Sequence, residues 1–153
     1  MLVPGSSADT ADQTPYIEEA VRGLVRVAPE HWSQLTFTVR STVDRGSQFL
    51  EVRLADGSTT TAFAPISVAD AMDDLRHAMY VPGAGTWFTA TLTVERSLSR
   101  SIEFDYDSEP EFVPPVSPGS FALDQEYFPR DQDHLPGWLQ AKLAEAGATG
   151  QAE

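Results

Sequence analysis

Apolar side chains recur at every second residue in two neighbouring segments, 35–39 and 50–54, and this alternation constrains the fold more than any other feature. A period of two is typical of strands with one buried face. One run is centred on Phe37 and the next on Val52. Asp56–Gly57 predicts a tight hairpin turn, because Gly accepts the positive φ that such a turn requires. The segment after the turn, Thr59–Phe63, is expected to form the third strand. These segments predict a three-stranded antiparallel meander.

A second period-two region lies further along the chain. Apolar residues alternate with threonines in Phe88–Val94, and alternate with acids in Ile102–Tyr106. The short serine-rich segment Ser97–Ser99 separates the two runs and predicts a turn. We therefore predict a second hairpin.

Three segments have the helical period instead; they cover residues 14–28, 67–79 and 135–146. The first is expected to begin at Thr14–Pro15, since Thr is a good N-cap and Pro is favoured at the first helical position. Ser67 and Asp70 resemble a capping box at the start of the second helix. Gly147 is expected to end the third.

Together these elements predict an α+β fold in the order α-βββ-α-ββ-α, with helices packed on an antiparallel sheet of about five strands. A chain of 153 residues is long enough for one core. We expect a single domain at residues 14–147, a flexible leader at 1–13 and a disordered tail at 148–153. The proline-rich segment 110–118 is expected to form an extended loop.

The stretch IEFDYDSEPEF, residues 102–112, carries an acid at every second position with no Lys or Arg between them. Its acids are Glu103, Asp105, Asp107, Glu109 and Glu111. Because strand side chains alternate between faces, the first three are expected to point away from the core. From Glu103 onward the chain has 11 acids but only two bases, Arg130 and Lys142.

Composition excludes several classes of function. The chain has no Cys, which excludes disulfide scaffolds, thiol catalysis and cysteine-based zinc sites. A net charge of −13 repels nucleic acid and anionic lipid and attracts basic surfaces. The N-terminus has no signal-peptide pattern, and no apolar run reaches the length of a membrane span. We expect a cytoplasmic protein that binds neither nucleic acid nor membrane.

No catalytic or metal-binding motif is complete. An EF-hand-like start at Asp105 fails because Pro110 and Val116 occupy the positions that require Gly and Glu. Exposed carboxylates two residues apart on a strand also lack the apolar surroundings of a glycosidase acid. The three histidines belong to no known catalytic motif and are expected at caps or on the surface. We therefore predict no enzyme activity, no cofactor and no metal.

Two interpretations of the acidic stretch remain. Acids on a solvent-facing strand can serve solubility alone and can keep a strand edge from pairing with another chain. Against this, like charges on one face cost stability, and surfaces usually mix both signs. The second interpretation is a dedicated surface for a basic partner.

The element order and four phrases resemble the YezG-type immunity proteins, bacterial antitoxins that neutralise polymorphic toxins. The phrases are APEHW, QLTFTV, IEFDYD and DQEYFPRDQDHLPGWL. The resemblance covers residues 16–146 and implies a small cytoplasmic protein that binds a toxin domain, commonly a nuclease. The matching aromatic, acidic and proline positions are Trp32, Phe104, Asp105, Tyr106, Asp107, Tyr127, Phe128, Pro129 and Trp138.

The residue pattern and the resemblance together predict an immunity protein that binds a basic toxin domain. The expected partner-binding residues are Glu103, Asp105, Asp107, Glu109, Glu111, Asp124, Glu126, Tyr127 and Phe128. The main alternative is an acidic adaptor or regulatory module unrelated to a toxin. The oligomeric state stays open, because an uncharged second sheet edge could pair two copies.

Overall fold

The period-two segments form one antiparallel sheet in the computed structural model, which describes the backbone of residues 4–152 and the side chains of residues 13–147. The strands are β1 Trp32–Ser41, β2 Gly46–Leu54, β3 Thr59–Ala62, β4 Thr89–Glu95 and β5 Arg100–Asp105. Their order in the sheet is β3-β2-β1-β4-β5, so the predicted meander and hairpin join through β1 and β4.

The two faces of the sheet differ as the alternation predicts. Phe37 lies opposite Leu50 on β2 and Leu92 on β4, and all three are buried. The opposite face, which we call the open face, carries threonines and charged residues. Thr38, for example, lies between Phe49 and Thr91 on the neighbouring strands. Strand pairing thus puts the apolar side chains on one face, where helices cover them.

The covering helices are α1 Pro4–Val27 and α2 Ile66–Ala78. Gly23 lets them approach closely, because a Cβ at this position would lie 2.4 Å from Cγ2 of Val68. The predicted start at Thr14 is wrong, because α1 begins at Pro4 and Pro15 lies inside it. The predicted capping box is also wrong, because α2 has no side-chain cap and Pro65 precedes it.

A second, smaller apolar cluster includes side chains of the C-terminal helices. Helix α3, Pro118–Tyr127, was not predicted, because Pro118 and Gly119 suggest a loop. Proline is favourable in the first turn of a helix, however, since its missing N–H has no partner there. Phe121 on α3 and Leu139 on α4, Gly137–Ala152, pack against Phe88 and Phe112.

The α+β class and the order α-βββ-α-ββ-α are confirmed, with α3 and a short 3₁₀ turn, Gln132–His134, as additions before α4. The predicted helix end at Gly147 is wrong, because α4 continues to Ala152. The flexibility of segments 1–13 and 148–153 stays a prediction, since nearly all their side chains lie outside the described residues.

Candidate functional site

The five acids of the stretch 102–112 do not lie in one row on a strand. Strand β5 ends at Asp105, so only Glu103 and Asp105 project from the open face of the sheet. The chain bends after Asp105, and Pro110 is buried. Asp107, Glu109 and Glu111 therefore belong to a loop that leaves the sheet, and the predicted continuation of the strand to Asp107 is wrong.

Asp105 has a local structural role at the end of β5. Its Oδ1 atom accepts hydrogen bonds from the backbone N–H groups of Asp107, at 3.1 Å, and Ser108, at 2.9 Å. The bond from Ser108 is the main cause that lowers the pKa of Asp105 below its ordinary value of 3.8. The ionised carboxylate therefore stabilises the turn where the strand ends.

Two further acids face the only bases of the C-terminal third. Asp107 Oδ1 lies 3.8 Å from Nη1 of Arg130, and Glu109 Oε2 lies 3.6 Å from Nζ of Lys142. Both bases are more than 20 residues away in the sequence. Two bases that lie far away in the sequence thus partly neutralise the acidic stretch.

Glu103 and Glu111 are the acids of the stretch that stay unpaired. Both are exposed, and no hydrogen bond or ion pair joins either carboxylate to another residue within the described part of the chain. Next to Glu103, strand β4 contributes Thr91 to the open face, so its neighbour in the sheet is neutral. These two carboxylates are free to meet a cation from another molecule.

Glu109 and Glu111 also border an open groove of about 650 Å³. Phe112 and Phe121, which line it, belong to the smaller apolar cluster. Val113 on its wall is 80% exposed. The groove therefore combines acidic groups with apolar surface, a combination that suits a basic side chain with an apolar stem or neighbour.

Asp124 and Phe128 are buried, so neither is accessible to a partner on this surface. The carboxylate of Asp124 accepts two hydrogen bonds from the guanidinium of Arg76, at 2.7 and 3.0 Å. The ring of Phe128 packs 5.0 Å from His77 and 5.3 Å from the Arg76 guanidinium, measured to ring centroids. We assign both residues to the structure of the domain.

Glu126 and Tyr127, at the end of α3, are exposed. Tyr127 has 62% of its surface accessible, which is high for an aromatic side chain. Both residues remain candidates for partner contact. Phe49 on β2 and Phe63 just after β3 are also exposed, at 50% and 94%, but they lie towards the other edge of the sheet.

Arg130 is a buried residue that the sequence analysis did not assign a role. Its guanidinium donates hydrogen bonds to three backbone carbonyls, those of Thr86 at 3.0 Å, Tyr106 at 2.6 Å and His134 at 3.0 Å. Burial lowers its pKa, while Asp107 and Asp124 act in the opposite direction. Arg130 thus ties the loop after β5 to the segment before α4.

Arg130 also requires a glycine beside it. Gly85 has φ +79°, and a Cβ there would lie 2.6 Å from the Arg130 side chain. No local pattern predicts this arrangement. Arg76, by contrast, could have been found, because it lies four residues after Met72 in the buried stripe of α2, where an apolar residue is expected.

The histidines form no common site. Nδ1 of His134 lies 2.6 Å from Asp131, and this hydrogen bond is the main cause that lowers the pKa of Asp131. His77 lies 3.6 Å from Asp73, and His31 lies 3.8 Å from Glu30. Among the side chains that the structure describes, no three His, Asp or Glu residues are grouped so as to hold a metal ion.

No helix in the described part of the chain is both long enough and apolar enough to cross a bilayer. No family model matches the chain, and no curated protein is significantly similar to it.

Proposed function

We propose that this chain is an immunity protein that binds and neutralises a basic toxin domain, with a nuclease as the favoured toxin class. The observation that supports the proposal most directly is the pair of exposed carboxylates, Glu103 and Glu111, which have no partner among the described residues. The resemblance of the phrases IEFDYD and DQEYFPRDQDHLPGWL to YezG-type immunity proteins supports it independently.

The chemistry of nuclease toxins suits an acidic inhibitor. A toxin that acts on nucleic acid holds phosphates with Lys and Arg, and so presents a basic cleft. Carboxylates on an inhibitor can bind in that cleft in place of phosphate oxygens. Opposite net charges also accelerate association, which benefits an inhibitor that must reach a lethal enzyme quickly.

An apolar contact would complement the acids. Tyr127 is exposed on α3, and aromatic side chains often contribute most at the centre of protein interfaces. The groove beside Glu111 exposes Val113 as a second apolar contact. The proposed partner surface therefore consists of unpaired carboxylates with apolar residues nearby.

The structure allows a more specific test than the removal of every acid in the stretch. Glu103→Gln with Glu111→Gln removes the two unpaired charges and leaves Asp105, Asp107 and Glu109 with their intramolecular partners. Glu30→Gln with Asp74→Asn is the matched control, because both acids are exposed and lie outside the stretch. Both variants change the net charge by the same amount.

The test is a tagged pull-down from the native cytoplasm at low and moderate salt, with captured proteins identified by mass spectrometry. We expect wild type and the control variant to capture a basic toxin domain. We expect the Glu103/Glu111 variant to bind it about tenfold more weakly at low salt, with a smaller salt dependence.

Two other outcomes would change the proposal. Equal capture by all three proteins would show that Glu103 and Glu111 do not contribute to the interface, and would favour the surface around Tyr127 as the binding site. Capture of a protein that is not a toxin, with no protection against any toxin, would favour the acidic adaptor or regulatory module.

A further inference from the structure

Strand β5 is an edge strand of the sheet, with β4 on one side only. Its hydrogen bonds show which backbone groups face β4. The N–H of Glu95 donates to the carbonyl of Ser99 at 2.8 Å, and the N–H of Phe88 donates to the carbonyl of Asp105 at 3.0 Å. Along an antiparallel strand, the backbone N–H and carbonyl groups of successive residues point to opposite sides. The odd-numbered residues of β5 therefore direct these backbone groups towards β4.

The even-numbered residues Ile102 and Phe104 therefore direct their N–H and carbonyl groups away from the sheet. The next even-numbered residue supports this assignment, since the carbonyl of Tyr106 accepts a hydrogen bond from Arg130, which lies outside the sheet. Within the described residues, no hydrogen bond from outside the sheet reaches the main chain of Ile102 or Phe104. These four backbone groups can pair with one added strand.

We infer that the outer edge of β5 binds an extended basic segment of the partner as a sixth, antiparallel strand. This inference rests on the proposed function and states how the partner is held. In such strand addition, main-chain hydrogen bonds supply affinity, and alternate side chains supply specificity.

The side chains of β5 determine which sequence fits. An added strand would place alternate residues about 5 Å from Glu103 and Asp105 on the open face. Those positions favour Lys or Arg. The intervening residues would lie beside Ile102 and Phe104, which are partly buried against the main core, and so favour apolar side chains. The partner strand is thus expected to alternate basic and apolar residues.

A second copy of this chain fits the edge poorly. An antiparallel pair that bonds Ile102 of one copy to Phe104 of the other would place Glu103 directly opposite Glu103. Like charges directly opposite each other destabilise a strand pair. Charge therefore favours a basic partner over self-association at this edge.

A capped seven-residue peptide of alternating lysine and valine provides the probe. In the expected pairing, valines lie directly opposite Ile102 and Phe104, with their side chains on the same apolar face. Residues that form such a pair exchange N–H and carbonyl bonds, so the valine N–H groups point towards β5. N-methylation of the valines removes these donors. N-methylation of the same number of lysine backbone nitrogens instead alters the outer edge and leaves composition and charge the same, which makes it the matched control.

The measurement is hydrogen exchange of the Ile102 and Phe104 amides, followed by NMR with and without peptide. We expect these unpaired amides to exchange quickly in the free protein and at least about tenfold more slowly with saturating lysine-methylated peptide. The valine-methylated peptide should give no protection. Equal effects of the two peptides, or no protection by either, would overturn the inference.

Exchange in the complex captured by the pull-down separates this inference from the proposed function. A captured toxin that leaves both amides unprotected would refute strand addition and leave the immunity proposal intact. Protection by the peptide, with no toxin captured from the cytoplasm, would support the edge site and count against the immunity proposal.

Discussion

Two acids between α2 and α4, Asp124 and Glu103, have opposite surroundings. Asp124 is buried and holds the guanidinium of Arg76, whereas Glu103 is exposed on β5 with no described partner. We call Arg76, Asp124 and Arg130 the buried arginine cluster. The comparison shows that a local excess of acid in the sequence combines charges that stabilise the domain with charges that are free to bind.

The strongest test of the comparison is removal of the buried carboxylate. Asp124→Ala would leave Arg76 as an uncompensated buried charge, and we expect a loss of about 3–5 kcal/mol in the free energy of unfolding. Urea denaturation measures this change. Asp133→Ala, at an exposed position, is the control and should lie within about 0.5 kcal/mol of wild type. Similar losses in both variants would contradict the contrast between buried and exposed acids.

Arg130→Met tests the other base of the buried arginine cluster. The substitution keeps an unbranched apolar stem but leaves the carbonyls of Thr86, Tyr106 and His134 without their donor. We expect a loss of about 1–3 kcal/mol in the free energy of unfolding. Lys142→Met is the control, because its ammonium group forms only a partly exposed pair with Glu109, worth less than about 1 kcal/mol.

Asp105→Asn tests an acid with a local structural role. Folding lowers the pKa of Asp105, so its charge adds stability above its ordinary pKa of 3.8, and this contribution is lost as the pH falls through the folded-state pKa. Because the group is mostly exposed, we expect wild type to exceed the variant by less than about 1 kcal/mol at pH 7. Denaturation curves at pH 7 and pH 3 measure the difference, which should be smaller at the lower pH. A difference of the same size at pH 3 as at pH 7 would exclude the charge as its cause.

The smallest expected effect on stability belongs to the unpaired acids. Glu103→Gln with Glu111→Gln should change the free energy of unfolding by no more than about 0.5 kcal/mol, since neither carboxylate has a partner among the side chains that the structure describes. Thermal and urea denaturation can check this directly. A marked loss of stability would mean that these acids belong with Asp124, and any loss of partner binding would then reflect unfolding.

Much of the fold could be predicted because side-chain periodicity is a local property. The alternation around Phe37 and Val52 predicts strands, and the helical stripe containing Leu24 predicts α1. Helix ends are harder to predict. Pro15 and Gly147 have the residue types of helix ends, yet Pro15 lies inside α1 and α4 continues past Gly147, because the preference of one residue is weak and its context can override it.

The candidate site was only partly predictable. Alternation on β5 predicts that Glu103 is exposed. The sequence does not show that Asp124 and Phe128 are buried, so it predicts them as partner-binding residues together with Glu103. Asp124 on α3 and Arg76 on α2 are 48 residues apart in the sequence, and only the tertiary fold brings them together. The same applies to the contacts of Asp107 with Arg130 and of Glu109 with Lys142.

The sequence by itself determined the α+β class, the alternation of the strands and the strong acidity of the C-terminal third, since each depends on composition or on spacing within one element. Only the tertiary structure decided which acids are neutralised and which stay free. Charge pairing depends on distance in space, and the bases that meet Asp107, Glu109 and Asp124 come from distant segments. Within the described part of the chain, packing brings no base to Glu103 or Glu111, and both stay unpaired there.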